Sequence, residues 1–410
     1  MLLKLFQLHA RLAAVLAALL RFPGLAADWP QWRGPERNGI SLENVATFPA
    51  SGPRLLWSAS VGTGFSSISI AEGRVYTMGN VDGQDTIWCF DASNGKELWR
   101  HSYSSRLDAQ YYEGGPSCTP TLDDDKVLTI NKWGTVLCQD AANGSIVWQH
   151  DLWSESIRSN RWGFAGSPLV WHGLVLLNAG GAGTALDRKT GRMVWFNGTE
   201  PAGYASPVVT QIEGKEVALI FAAKGLVAVD PQTGRILWRH AFETGYDTNI
   251  GDPVVHRDTV LLSSYSHGCD LLRMHPDRAE LVYSNKVLYS HLSPGIRFGD
   301  YLYAFNGEAH HETDFRCLHL PTGEVKWSAK SPAFGSLIGL GKDKLLILSE
   351  KGELTLALAS STGFKAISRA QVMGGVCWTL PAIANGRLYL RNAKGDLKCF
   401  ELSETKSARR

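Results

Sequence analysis

The chain has 410 residues and a formal net charge of +2. Hydrophobic residues make up 44% and charged residues 20%, so the chain can bury a large core, and wholesale intrinsic disorder is excluded. It contains 42 glycines and 14 tryptophans but only 5 methionines. This composition favours many short strands joined by tight turns.

Residues 1–27 are typical of a secretory signal peptide. Basic residues flank an apolar stretch at 12–20, which is too short for a membrane anchor, and small residues follow at 24–27. No cysteine occurs before Cys89, so a lipid-attachment site is not expected. Cleavage would leave 38 basic against 39 acidic residues, which gives no support for nucleic-acid binding. We therefore expect a periplasmic or secreted protein without a membrane span, an uncleaved anchor being the alternative.

An eleven-residue motif recurs along the chain. It reads CFDASNGKELW at 89–99, CQDAANGSIVW at 138–148, ALDRKTGRMVW at 185–195 and AVDPQTGRILW at 228–238, and degenerate copies end at Tyr283, Trp327 and Ile367. The Asp can accept hydrogen bonds from the next turn, the Gly supplies a positive φ, and the Trp offers a surface that only a neighbouring sheet can bury. The predicted docking residues are Asp91, Gly95, Trp99, Asp140, Gly144, Trp148, Asp187, Gly191, Trp195, Asp230, Gly234, Trp238, Gly323 and Trp327.

A second hairpin precedes each copy of the motif, so each unit has four strands. Repetition of such units predicts an all-β fold, an eight-bladed β-propeller of four-stranded antiparallel blades. The last unit, 378–402, lacks an outer strand, and residues 54–61, with Trp57 in the motif position, can supply it and close the ring. Seven blades are the alternative if 337–367 is too irregular. A single domain over 28–402 and a C-terminal tail at 403–410 are expected.

The motif closely resembles the tryptophan-docking repeat of the pyrroloquinoline quinone (PQQ) propeller superfamily. The segment DWPQWRGPERNGIS at 28–41 is also similar to the N-terminal motif of secreted PQQ-like repeat proteins. The resemblance covers about 28–402 and implies the fold. It leaves activity open, because the superfamily contains both quinoprotein dehydrogenases and non-catalytic scaffolds of the BamB type.

The resemblance to quinoprotein alcohol dehydrogenases implies PQQ between a Trp and a disulfide of adjacent cysteines, with Ca²⁺ and a catalytic Asp nearby. This chain has no adjacent cysteine pair and no C-x-x-C-H haem motif. The enzyme alternative is therefore a divergent PQQ-dependent oxidoreductase, with Trp162 or Trp378 stacking on PQQ and Asp247 as base. Our main hypothesis assigns no catalytic residue, metal or cofactor.

Two other groups of residues have a structural interpretation. Four of the seven cysteines, at 89, 138, 317 and 399, occupy the small-residue position of the motif and are expected to be buried thiols. The run DDD at 123–125 is interpreted as a solvated turn. The run HHETD at 310–314 is interpreted as a polar loop, with a transition-metal site as the alternative.

Loops between successive blades should open on one face of the ring, around the channel. The longest are 101–115 and 150–166, both rich in aromatic and charged residues. We expect a binding cluster at this channel mouth, because loops on a rigid ring commonly carry function. Its predicted members are Arg158, Arg161, Trp162, Tyr246, Asp247, Asn249, His291 and Trp378.

The sequence thus predicts an exported, monomeric binding or protein-interaction scaffold. Its partner would be an envelope or extracellular protein. Three alternatives stay open: the divergent PQQ-dependent oxidoreductase, binding of a polysaccharide or small ligand, and loops that merely cap the channel.

Overall fold

Short antiparallel strands make up most of the structure. The computed structural model describes residues 28–110, 112–331 and 333–402, and the predicted signal peptide and C-terminal tail lie outside these ranges. Two short 3₁₀ turns, Leu152–Glu155 and Gly245–Asp247, are the helical elements in these ranges. Neither could cross a bilayer.

The strands form eight sheets. A short strand β1 (Ile40–Ser41) and the strand β2 (Arg54–Ser60) come first. Blades 1 to 4 consist of β3 (Ser69–Ala71), β4 (Arg74–Val81), β5 (Gln84–Asp91), β6 (Glu97–Ser104); β7 (Thr121–Asp123), β8 (Lys126–Ile130), β9 (Thr135–Asp140), β10 (Ile146–Asp151); β11 (Leu169–Trp171), β12 (Leu174–Leu177), β13 (Thr184–Asp187), β14 (Met193–Phe196); and β15 (Val208–Ile212), β16 (Lys215–Ala222), β17 (Gly225–Val229), β18 (Ile236–Ala241).

Blades 5 to 8 continue in the same order. They consist of β19 (Val254–His256), β20 (Thr259–Ser264), β21 (Gly268–Met274), β22 (Ala279–Asn285); β23 (Ile296–Phe298), β24 (Tyr301–Asn306), β25 (Thr313–His319), β26 (Glu324–Ser331); β27 (Gly335–Leu340), β28 (Lys344–Ser349), β29 (Glu353–Leu358), β30 (Lys365–Gln371); and β31 (Ala382–Ala384), β32 (Arg387–Arg391), β33 (Asp396–Glu401). The protein is an eight-bladed β-propeller.

The N-terminal strand closes the ring. β2 pairs antiparallel with β33, with Trp57 opposite Cys399, and so completes blade 8 as predicted. The irregular segment 337–367 forms most of blade 7, whose sheet gains β1 as a fifth strand through parallel pairing with β27. The count of eight blades is therefore confirmed over the seven-blade alternative.

In seven of the eight blades, the recurring motif joins the blade to the next one around the ring. The indole N–H of Trp99 in blade 1 donates to the carbonyl of Ala141 in blade 2 at 3.0 Å. The ring packs on Gly144, where φ is +75° and an added Cβ would overlap it. The carboxylate of Asp140 accepts the backbone N–H of Ala142 at 2.9 Å and so shapes the turn. Equivalent indole or hydroxyl bonds are donated by Trp57, Trp148, Trp195, Trp238, Tyr283 and Trp327.

The N-terminal segment 28–41, which we call the plug, fills the channel. Trp29 is 1% exposed and forms a bridge with Ile70 of blade 1. The guanidinium of Arg33 donates to the carbonyl of Gly295, next to blade 6, at 3.1 Å. These contacts, with the pairing of β1 to blade 7, tie the plug to inner strands around the ring. A cavity at the mouth of the channel therefore has a floor.

All seven cysteines are buried free thiols. Burial raises the pKa of Cys89 and of Cys399 to about 12, so both are protonated at neutral pH. Cys89 and Cys138 lie in one apolar cluster that also contains Trp99 and Trp148. The thiols therefore act as small apolar residues between blades.

Candidate ligand-binding cavity at the channel mouth

A cavity of about 340 Å³ lies at the mouth of the channel, above the plug. Its walls are mainly aromatic, and its polar groups are mostly uncharged. The aromatic and histidine members are Trp32, Phe65, Tyr112, Trp162, Tyr204, Tyr265, His291, His310 and Trp378, and the polar members are Ser117, Ser167, Ser206, Thr248, Asp252, Glu308 and Thr379. Such a mixture is characteristic of small-molecule sites.

Hydrogen bonds between adjacent blades form part of the cavity floor. The N–H of Thr119 donates to the Ser167 hydroxyl at 2.9 Å, and the N–H of Ser167 donates to the Ser206 hydroxyl at 3.0 Å. The N–H of Ser206 then donates to Asp252 Oδ1 at 2.8 Å. Ser167, Ser206 and Asp252 each come directly before the proline at the start of an inner strand. Asp252 stands where the preceding blades have Ser or Thr, and its second oxygen accepts the indole N–H of Trp32 at 2.6 Å.

Two buried guanidinium groups anchor the plug near this floor. Arg33 and Arg37 donate to backbone carbonyls of Gly295 and Pro168. Burial lowers the pKa of Arg37 to about 10 and also lowers that of Arg33, while the nearby Asp252 carboxylate opposes both shifts. Arg37 is therefore cationic at neutral pH. The charge of Asp252 is largely used within the protein, to hold the plug.

Aromatic side chains form walls on opposite sides of the cavity. Trp378, at the start of blade 8, stacks on Phe65 with ring centroids 5.2 Å apart, and its indole N–H donates to Glu350 at 3.0 Å. Tyr204, at the start of blade 4, lies 6.0 Å from Trp162. Blades 4 and 8 are four positions apart in a ring of eight. A ligand in the cavity would therefore lie between two aromatic surfaces.

His291 is a neutral hydrogen-bond donor in the cavity wall. Its Nδ1 accepts the backbone N–H of Ala309 at 3.1 Å, so the ring proton resides on Nε2. Burial, with smaller contributions from the nearby His310 and His311, lowers the pKa of His291 to about 4. The imidazole is therefore uncharged at neutral pH.

The neutral His291 should make stability depend on pH. Between about pH 6.5 and 4 the unfolded chain binds a proton at His291 that the folded protein does not, so the free energy of unfolding falls as the pH falls through this range. The loss attributable to this group is up to about 3 kcal/mol. Urea denaturation at pH 7 and pH 4.5 measures it. We expect a His291→Gln variant to lose less stability between the two pH values than the parent, and an equal loss would contradict the assignment.

The structure places three of the sequence-predicted residues in the cavity wall: Trp162, His291 and Trp378. Two more lie beside it. The guanidinium of Arg161 lies 5.4 Å from the ring centroid of Trp162 and 5.3 Å from that of Tyr246. Tyr246 is 67% exposed and forms an outer edge of this aromatic group.

The other three predicted residues do not line the cavity. Arg158 lies over the ring of Trp153, 4.1 Å from its centroid. Asp247 forms a 2.7 Å ion pair with Lys224, which occupies the carboxylate that was expected to act as a base. Asn249 is fully buried, and its amide donates to backbone carbonyls. The contacts that the structure gives these three residues are with other parts of the protein.

Several cavity residues were missed by the sequence reasoning. Trp32 belongs to the N-terminal motif at 28–41, which gave no indication that the segment enters the channel. Asp252 departs from the Ser or Thr found before the inner-strand proline in blades 2 to 4, and this departure was the available signal. Tyr265 and Glu308 come from hairpins between the second and third strands of blades 5 and 6. These hairpins open on the same face as the inter-blade loops.

The part of the chain that the structure describes contains no group of three or more histidine, cysteine or acidic side chains placed to hold a metal ion. In the run 310–314, His310 lies 3.6 Å from Glu350, whereas His311 lies 3.7 Å from Glu308. The two histidines therefore have different partners. The aspartates at 123–125 form ion pairs with neighbouring basic side chains.

Solved structures with the same fold include BamB and a quinohemoprotein alcohol dehydrogenase. BamB from Moraxella catarrhalis is 18% identical, with a TM-score of 0.61 over 87% of this chain and 98% of that chain. Quinohemoprotein alcohol dehydrogenase from Comamonas testosteroni is 13% identical, with a TM-score of 0.64 over 93% of this chain and 82% of that chain. At these identities the likeness shows the fold alone. No curated protein sequence matches the chain.

The family comparison is more specific. Residues 86–329 match the model of a family described as outer membrane protein assembly factor BamB. This range contains blades 2 to 5 in full, nearly all of blade 6 and the second half of blade 1. Because the match spans more than half of the sequence, the chain belongs to this BamB family of PQQ-like β-propellers.

Proposed function

We propose that this protein is a non-catalytic binding propeller of the extracytoplasmic space, formed by one domain over residues 28–402. Its binding site is the cavity at the channel mouth. The main support for the proposal is the cavity of about 340 Å³, which has aromatic walls and has the plug at its base. The predicted signal peptide and the envelope role named in the family description support the location.

The polar groups of the cavity support binding rather than catalysis. Both Asp252 oxygens accept hydrogen bonds from the protein, and Asp247 is paired with Lys224 outside the cavity. His291 has its Nδ1 occupied by a backbone N–H and has no serine or threonine hydroxyl as a hydrogen-bond partner within the described ranges. A nucleophile activated by a base is therefore not assembled here.

The residues of the cavity do not fit PQQ. That cofactor carries three carboxylates, which require cationic or metal partners, and no lysine or arginine lines the cavity in the described ranges. Cavity carboxylates at 252 and 308 would repel it. An oxygen cluster for Ca²⁺ is not supplied either, because Asp252 is already engaged by Trp32 and Ser206.

Isothermal titration calorimetry with three probes tests the proposal: maltose, choline, and PQQ with Ca²⁺. We expect saturable binding of at least one of the first two probes. Trp162→Ala should weaken that binding by about tenfold, because it removes one aromatic wall. Trp153→Ala is the matched control, since Trp153 lies on the same loop, is 45% exposed and is outside the cavity. It should bind like the parent.

Two results would contradict the proposal. One is the absence of saturable binding for all three probes. The other is alcohol-dependent reduction of a dye in the presence of PQQ and Ca²⁺, which would establish the oxidoreductase instead.

A further inference from the structure

We infer that the channel-mouth cavity binds a neutral sugar ring between its aromatic walls. This inference rests on the proposed function and names the ligand class of the same site. Three features lead to it: the position of the aromatic rings, the uncharged hydrogen-bonding groups between them, and the balance of charge around the cavity.

Two of the cavity tryptophans offer carbon surfaces rather than polar edges. The indole N–H groups of Trp32 and Trp378 are already donated to Asp252 and Glu350. What these side chains present to a ligand is therefore the ring itself. A pyranose has apolar C–H faces that pack on such surfaces, and walls at blades 4 and 8 can contact both faces of a ring.

Uncharged hydrogen-bonding groups lie between these walls. Ser206 Oγ accepts a backbone N–H, and the hydroxyl proton has no acceptor within the described ranges. The Nε2–H of His291 is likewise unmatched there. Buried groups of this kind are costly when unpaired, so a ligand with several hydroxyls would be favoured.

The charges around the cavity argue against an ionic ligand. An anion would meet the carboxylates of Asp252 and Glu308. A cation would lie near the buried guanidinium groups of Arg33 and Arg37, and the Asp252 carboxylate is committed to Trp32 and Ser206. Glu308 is the cavity carboxylate with the more accessible side chain, at 43% exposure. The Glu308 carboxylate can accept hydrogen bonds from sugar hydroxyls, and these bonds require no charge on the ligand.

Calorimetry with maltose, sorbitol and choline tests the inference. Sorbitol carries hydroxyls but no ring, so maltose should bind at least about tenfold more tightly if ring stacking contributes. Glu308→Gln should weaken maltose binding by about tenfold through loss of a charged acceptor. Glu312→Gln is the matched control, because it lies on the same loop, is 89% exposed and does not line the cavity. It should bind maltose like the parent.

The outcomes separate the two proposals. Choline that binds more tightly than maltose, or maltose binding that Glu308→Gln and Trp162→Ala leave unchanged, overturns the sugar assignment. Choline binding that is lost in Trp162→Ala would preserve the binding function. No binding of any probe contradicts both. Circular dichroism and thermal unfolding of each variant establish that a loss of binding is not a loss of fold.

Discussion

Replacing Arg391 with methionine should lower the free energy of unfolding by about 4 kcal/mol. Arg391 is completely buried in β32 of blade 8. Its guanidinium donates to carbonyls of Gly62, at 3.1 Å, and of Gly64, at 3.0 Å, both in the segment before blade 1. It also donates to Thr77 in β4 of blade 1, at 3.0 Å. Methionine would leave these buried acceptors without donors.

The same bonds explain why a full charge is tolerated in the interior. Burial lowers the pKa of Arg391 to about 9, so the group is still cationic at neutral pH. The planar guanidinium carries five N–H donors in a fixed arrangement and so satisfies several carbonyls at once. Arg391 therefore links the last blade to the first, in addition to the strand exchange that completes blade 8.

Urea denaturation followed by tryptophan fluorescence measures the effect. Arg387→Met is the matched control on the same strand, because Arg387 is only partly buried and its guanidinium donates to the Ala92 carbonyl at 2.7 Å. It should cost about 1 kcal/mol. Equal losses in the two variants would show that Arg391 has no special role in closing the ring.

The propeller could be predicted from sequence because each repeat carries its own local physics. The aspartate caps a turn, the glycine adopts a positive φ, and the tryptophan packs on the next copy of the same turn. For example, Trp99 donates to the Ala141 carbonyl and packs on Gly144, so this whole contact lies within 46 residues of chain. The missing outer strand of the last repeat was equally visible, since Trp57 carries the motif position at the other end of the chain.

The plug could not be predicted in the same way. The bond from Trp32 to Asp252 spans 220 residues, and no local pattern signals it. The cavity was predicted in part, because Trp162 and Trp378 lie on inter-blade loops. Asn249 lies on such a loop too, yet its amide is used by backbone carbonyls rather than by the cavity. Polar loop residues alone do not reveal whether their partner is a ligand or the chain itself.

A Gly234→Ala substitution should lower the free energy of unfolding by about 3 to 4 kcal/mol. Gly234 has a φ of +73°, and an added Cβ would lie 2.6 Å from the indole ring of Trp195 in the preceding blade. Trp195 is 9% exposed and donates its N–H to the Pro231 carbonyl at 3.1 Å. The ring must therefore shift out of a packed site and weaken this bond.

Gly214→Ala separates the backbone cost from the packing cost. Gly214 lies in the same blade with a φ of +78°, but an added Cβ would meet nothing within 4 Å. Its substitution should cost about 1 kcal/mol, the price of a side chain in the left-handed region. The difference between the two alanine variants, measured by urea denaturation, then reports the contact with Trp195.

A double-mutant cycle carries the argument one step further. In a Trp195→Leu background the indole is gone, so Gly234→Ala should cost little more than Gly214→Ala. If the cost of Gly234→Ala stays at its full value in that background, the glycine is required by its own turn and not by the tryptophan. If it falls, the Gly and Trp of the motif act as one unit across the blade interface. The repeat would then specify the contact between blades as well as the blade.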